Sequence, residues 1–206
     1  MNVFLIVMAK YLDWKFRSTT WITLAIALVG VLCAFFLPAS YGNENSPVEN
    51  MQIIVVAIGM YMTCTARQRR HLFVFASFCL FLMMAREVSF GRALFIFADP
   101  QNPNVFPKWK DMEYGWLAHV CIGLYMAWML VYFVWRKVWK DIWEVLCTCR
   151  IPMVDLFLAV GGVVAGSIFE STHYFLGEEL GELVMYAAAV GILYLYSRNK
   201  VGKVQG

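Results

Sequence analysis

Thr19–Leu37 reads TTWITLAIALVGVLCAFFL, nineteen residues without a charged side chain. A helix of that length is about 28 Å long, close to the roughly 30 Å hydrocarbon core of a bilayer. Lipid offers no water to a free N–H or C=O, so a stretch of this kind crosses as a helix, with every backbone group paired internally. The block stops at Pro38, and a polar connection from Ala39 to Asn50 follows.

The same signature recurs along the chain. Spans are expected at about 19–37, 51–66, 72–90, 114–135, 152–172 and 179–196. They occupy most of the 206 residues, so residues 1–206 are expected to form a single all-α transmembrane domain, a polytopic bundle of about six helices. Composition agrees: 61% of residues are hydrophobic and 15% charged, against about half and a quarter in a soluble domain. Basic runs interleaved with aromatics are absent, which argues against nucleic acid as a partner and leaves membrane lipids as the expected surroundings.

The connections have distinct characters. Arg67-Gln68-Arg69-Arg70-His71 is a short basic turn. The stretch 91–113 is the longest connection, with Phe95, Phe97, Phe106 and Trp109 set among Pro100, Pro103 and Pro107. The prolines forbid one continuous helix, and the aromatics suit the headgroup layer. From Arg136 to Arg150 the chain is basic and amphipathic. Trp135, Trp139 and Trp143 recur every fourth residue there, as in a helix lying along the membrane surface. Gly177 marks a tight turn between the last two spans, which should form a hairpin. Gly161, Gly162 and Gly166 give the fifth span a small-residue face that lets backbones approach. Met1 to Met8 is apolar but runs into Lys10, Asp13, Lys15 and Arg17 without a small-residue cleavage pattern, so it reads as a segment in the membrane plane and not as a signal peptide. Cys147 and Cys149 form a C-x-C pair in a basic loop; structural zinc needs four ligands, and the pair reads as ordinary loop cysteines.

Charge sets the expected orientation. With the amino terminus inside, thirteen of the seventeen Lys and Arg residues fall on the inner side, and only Arg86, Arg92, Lys108 and Lys110 on the outer. This is the positive-inside pattern, with both termini cytoplasmic. Ten of the fourteen acids fall on the outer side. A multi-pass protein of a bacterial inner membrane is the plainest setting.

Ionisable residues within spans are costly and mark function by default. Here they share one depth. Glu49 and Gln52 open the second span, Arg86 and Glu87 end the third, and His119 lies early in the fourth. Glu170 and His173 end the fifth, and Glu178, Glu179 and Glu182 open the sixth. Glu170 and His173 stand three apart, the spacing that turns two helical side chains the same way and that recurs in metal-binding bundles. With His119 and Glu182 they make a candidate shell for zinc, iron or manganese. Arg86 and Glu87, adjacent on one helix, cannot face each other squarely, so each is expected to have a partner on another span.

Three functions compete. The first is an enzyme acting on a lipid or lipid-linked substrate by hydrolysis or group transfer. Glu87, Glu170 and His173 would be catalytic, Arg86, Arg92 and Gln52 would bind substrate, and the aromatic loop 91–113 would be a lid. The second is a non-catalytic subunit, assembly factor or sensor that pairs with another membrane protein or with itself. The third is a proton- or cation-linked transporter, which the one-sided placement of charge disfavours.

Overall fold

The computed structural model describes residues 10–42, 46–91 and 108–202, and they are mainly helical. The amino-terminal segment 1–9, the loop 92–107 with Arg92, and the tail from Lys203 lie outside the described residues. Among the described residues seven α-helices follow in order: α1 (Ser18–Phe36), α2 (Pro47–Cys64), α3 (Arg70–Glu87), α4 (Gly115–Trp135), α5 (Val138–Thr148), α6 (Met153–Ser171) and α7 (Phe175–Ser197). Among the described residues five stretches are long and apolar enough to cross a membrane: α1, Ala39–Cys64 (which includes α2), α4, α6 and α7. Helix α3 was expected as a further span. It has 18 residues but carries Arg70, Arg86 and Glu87 at its ends, which sets it apart from those five.

Local chemistry places the breaks. Ser46 caps α2, its hydroxyl accepting from the Glu49 N–H at 3.3 Å, and Pro47 takes the first helical position, where no N–H is needed. Arg69 and Lys137 adopt left-handed φ values of 44° and 53°, which start α3 and divide α4 from α5. Helix α5 is thus the separate amphipathic helix its sequence suggested, with Trp139 and Trp143 exposed.

Helix α7 is the hub. It packs against α6, α2 and α1, and Tyr186, Ala188 and Leu195 are almost fully buried. The core of the bundle forms where Val190 and Tyr186 meet Val56 of α2 and Leu80 of α3. The α6–α7 hairpin is in backbone contact. A Cβ on Gly162 would lie 2.7 Å from the Gly181 carbonyl oxygen, and one on Gly181 would lie 2.7 Å from the Gly166 nitrogen. The turn of this hairpin is not at Gly177. It lies at residues 172–174, where His173 has φ 56°, and α7 begins at Phe175. Gly177 sits inside α7, where a Cβ would strike the Tyr174 and Phe169 rings at 2.5 and 2.7 Å. The glycine signals ring packing there, not chain reversal.

Helix α4 is the loosest element. It touches α3 through Phe78–Trp128, with ring centroids 4.5 Å apart, and through the Tyr125 hydroxyl, which donates to the Phe78 carbonyl at 3.0 Å. Most of its large side chains are exposed, as expected of a helix whose neighbour is lipid or a partner.

The basic end of the bundle is closed by polar contacts. Leu12–Asp13 and Ile151–Pro152 form a short parallel pair. Arg17 pairs with Asp13 and donates to the Lys200 carbonyl, tying the start of α1 to the chain beyond α7. Asp155, fully buried in the first turn of α6, accepts the Thr19 and Thr20 hydroxyls at 3.1 and 2.8 Å. Threonine hydroxyls thus hold this buried carboxylate.

Candidate functional site

At the opposite end, α2, α3 and α7 bring their polar residues together. Glu179, Glu182 and Tyr186 stand at i, i+3 and i+7 on α7, so they share one face. Glu49 and Gln52 share a face of α2, three residues apart. Arg86 and Glu87 end α3.

Glu87 is 7% exposed. Its Oε1 accepts the Tyr186 hydroxyl at 2.5 Å and the Arg86 Nε at 3.1 Å. The Arg86 guanidinium also pairs with Glu182 across the helix interface. Each member of the Arg86–Glu87 pair does find a partner on α7, Glu182 for one and Tyr186 for the other, but the expectation that the two neighbours do not meet is overturned, because the long guanidinium arm folds back onto Glu87 at the end of the helix.

Gln52 is fully buried. Its Nε2 donates to both the main-chain oxygen and Oε2 of Glu179, each at 2.8 Å. This leaves its Oε1 buried with no hydrogen-bond donor among the described residues. Carboxylate oxygens of Glu49, Glu87 and Glu179 all lie within 4.8 Å of one another. Two unit charges at that distance repel by about 3.5 kcal/mol at an effective dielectric constant near 20. With Glu182 added, four acids face the single guanidinium of Arg86 among the described residues. The centre is therefore rich in negative charge and in oxygen donors.

The sequence-derived site residues divide between this centre and its surroundings. Glu87, Arg86, Gln52 and Glu182 are part of it. Glu170 and His173 are not gathered with them: both are exposed, and the His173 N–H donates to the Glu170 carbonyl at 3.0 Å as part of the turn. Glu170 is in the last turn of α6, and His173 lies beyond its end with φ 56°, so the helical three-residue spacing does not align them. His119 is exposed on α4. Arg92 and the lid stretch 92–107 lie outside the described residues. Sequence reasoning missed Tyr186 and gave Glu49 and Glu179 lesser roles. The signal for them was the seven-residue stripe Glu179, Glu182, Tyr186.

An apolar cavity of about 740 Å³ is bounded by α2, α3 and α4 and lined by Asn50, Ile53, Met84, Val88, Ala118 and Tyr125, among others. Asn50 and Val88 are the chain neighbours of Glu49 and Glu87, whose own side chains do not line it. No protein-family model, curated protein or solved structure matches this chain.

Proposed function

We propose that the chain is a multi-pass protein of six spans in a bacterial inner membrane, with both ends cytoplasmic, and that its outer polar end is an acid–base centre acting on a lipid or lipid-linked substrate. The reaction class is hydrolysis or group transfer. The observation that carries this reading is the buried Glu87 carboxylate, held by the Tyr186 hydroxyl at 2.5 Å among acids of α2 and α7. The apolar cavity between α2, α3 and α4 would take the tails of such a substrate. Six spans are supported by the course of α3. It starts at the basic turn after α2 and ends with Glu87 among the acids of α2 and α7, as a crossing helix would.

In this reading Glu87 takes a proton from water or from a substrate hydroxyl, and Tyr186 orients the carboxylate that does so. Arg86 is a positioning residue, since its charge is already offset by Glu182 and Glu87. Glu170 and His173, exposed at the hairpin turn, stand where a headgroup would first arrive.

The test is turnover in proteoliposomes made from a bacterial total lipid extract, followed by mass spectrometry of the lipids. A new product that accumulates with the wild-type protein and not with Glu87→Gln supports the enzyme. Identical lipid profiles for both, with both proteins folded, rule it out. A second reading has its own support in the exposed sides of α4: a partner subunit would cover that helix, and fixed co-purification of one membrane protein, lost on charge substitution along α4, would favour it.

A further inference from the structure

We infer that the groove between α1, α2 and α7 at the basic end of the bundle holds one anionic phospholipid, with an acyl chain in the groove and the phosphate against Lys200 and Arg198. A cavity of about 420 Å³ lies there, walled mainly by apolar side chains, among them Ile22 and Ile26 of α1, Val55 and Ile58 of α2 and Val190 of α7. It follows α1 from Ser18 to Ile26, about 12 Å of helix rise. Its size is that of a small-molecule site. Ile22 and Ile58 are 60% and 46% exposed, so the groove is open at its side. In a spanning bundle a lipid chain enters it from the bilayer without crossing water.

Charge at the mouth of the groove selects the headgroup. Tyr194 lines the cavity at its basic end, and Lys200 Nζ donates to the Tyr194 hydroxyl at 2.7 Å. Arg198 donates to the Thr65 hydroxyl, just past the end of α2, at 3.1 Å. Both cations are exposed, and both of these partners are neutral. The acids of the segments that meet here are already engaged: Asp13 pairs with Arg17, and Asp155 is buried under the Thr19 and Thr20 hydroxyls. Arg17 is held by Asp13 and the Lys200 carbonyl, which leaves Lys200 and Arg198 as the charges that a phosphate meets. The depth agrees. Trp14, Phe16 and Trp21, around the start of α1, are each more than half exposed, and aromatic side chains at the end of a span sit at headgroup level. Basic openings between spanning helices are a usual seat for anionic headgroups. A zwitterionic lipid gains less, because its own cation already offsets its phosphate.

The groove shares no residue with the acid centre at the opposite end, and the test reads bound lipid and not turnover, so either reading can fail without the other. Full-length protein in detergent is mixed with phosphatidylglycerol or with phosphatidylcholine of the same acyl chains, and bound lipid is counted by native mass spectrometry. One phosphatidylglycerol per chain should persist at a detergent concentration that strips phosphatidylcholine. Lys200→Gln should weaken its binding roughly fivefold, the usual effect of one basic residue at an anionic membrane surface, and Arg198→Gln should act alike. Ile58→Trp removes no charge but fills the groove, and it should release the lipid too. Lys140→Gln takes the same charge from α5 and should bind as the wild type does. Equal retention of the two lipids would overturn the site, as would undiminished binding by Lys200→Gln/Arg198→Gln or by Ile58→Trp. Equal weakening in Lys140→Gln would reduce it to diffuse charge, and full displacement by millimolar inorganic phosphate would make it a site for soluble anions; either result refutes the lipid.

Discussion

Tyr186 of α7 donates its hydroxyl to Oε1 of Glu87 of α3 across 2.5 Å, and both side chains are buried. This bond links the helix with the most buried surface to a helix that carries charge at both ends. Hydrogen bonds to charged groups are worth more than neutral ones, and a buried carboxylate deprived of one loses about 1–3 kcal/mol. Tyr186→Phe should therefore lower thermal stability in detergent by that amount. Combined with Glu87→Gln in a double-mutant cycle, it should show a coupling energy above roughly 0.5 kcal/mol. Additive effects would mean that the two residues act independently.

The glycines of the α6–α7 hairpin make opposite predictions at adjacent positions. Gly162 faces the Gly181 carbonyl, while a Cβ on Gly161 meets nothing within 4 Å. Gly162→Ala forces two backbones apart and should cost about 1–3 kcal/mol. Gly161→Ala should be neutral or should stabilise by up to about 1 kcal/mol, since alanine is the better helix former. Thermal unfolding of the two single variants checks the pair. Equal effects would refute the packing described.

The opposite end of the bundle supplies a pH dependence. Burial pushes the Asp13 carboxyl up. The Arg17 hydrogen bond, the Lys15 amide and the charges of both residues more than offset this and hold it below its ordinary value. A carboxyl depressed on folding adds stability that is full above its unfolded pKa, near 3.9, and is lost as pH falls through the folded value. Asp13→Asn should thus melt below the wild type at pH 7 by a margin that holds down to about pH 4 and narrows in stronger acid. A margin that grows on acidification would reverse the assignment.

Much of the fold was legible in the sequence because apolar block length sets helix position in a bilayer, and the six blocks correspond to six of the seven helices among the described residues. The separate amphipathic helix α5 was legible from its tryptophan spacing. The start of α7 was not. Gly177 has the composition of a turn, and only the packing of Tyr174 and Phe169 against it reveals a position inside a helix. At the site, the shared depth of Glu49, Gln52, Arg86, Glu87 and Glu182 could be read, since depth follows from position along a span. Which of them meet depends on how each helix is rotated about its axis, and that is fixed by glycine contacts between distant segments. The Glu-x-x-His spacing aligns two side chains only where one helix runs through both, and α6 ends at Ser171, between its two members.

Helix α7 is the last of the seven to be synthesised, yet it carries Glu179, Glu182 and Tyr186, the partners of Gln52, Arg86 and Glu87. Until it emerges from the ribosome, Arg86 and Glu87 have each other, but the Gln52 amide lacks Glu179, Arg86 lacks Glu182 and Glu87 lacks the Tyr186 hydroxyl. Assembly of this centre therefore closes only once α7 is in place. A nascent chain stalled before Phe175 would be a substrate for quality control, and complementation by a separately expressed α7 would become the natural way to finish it.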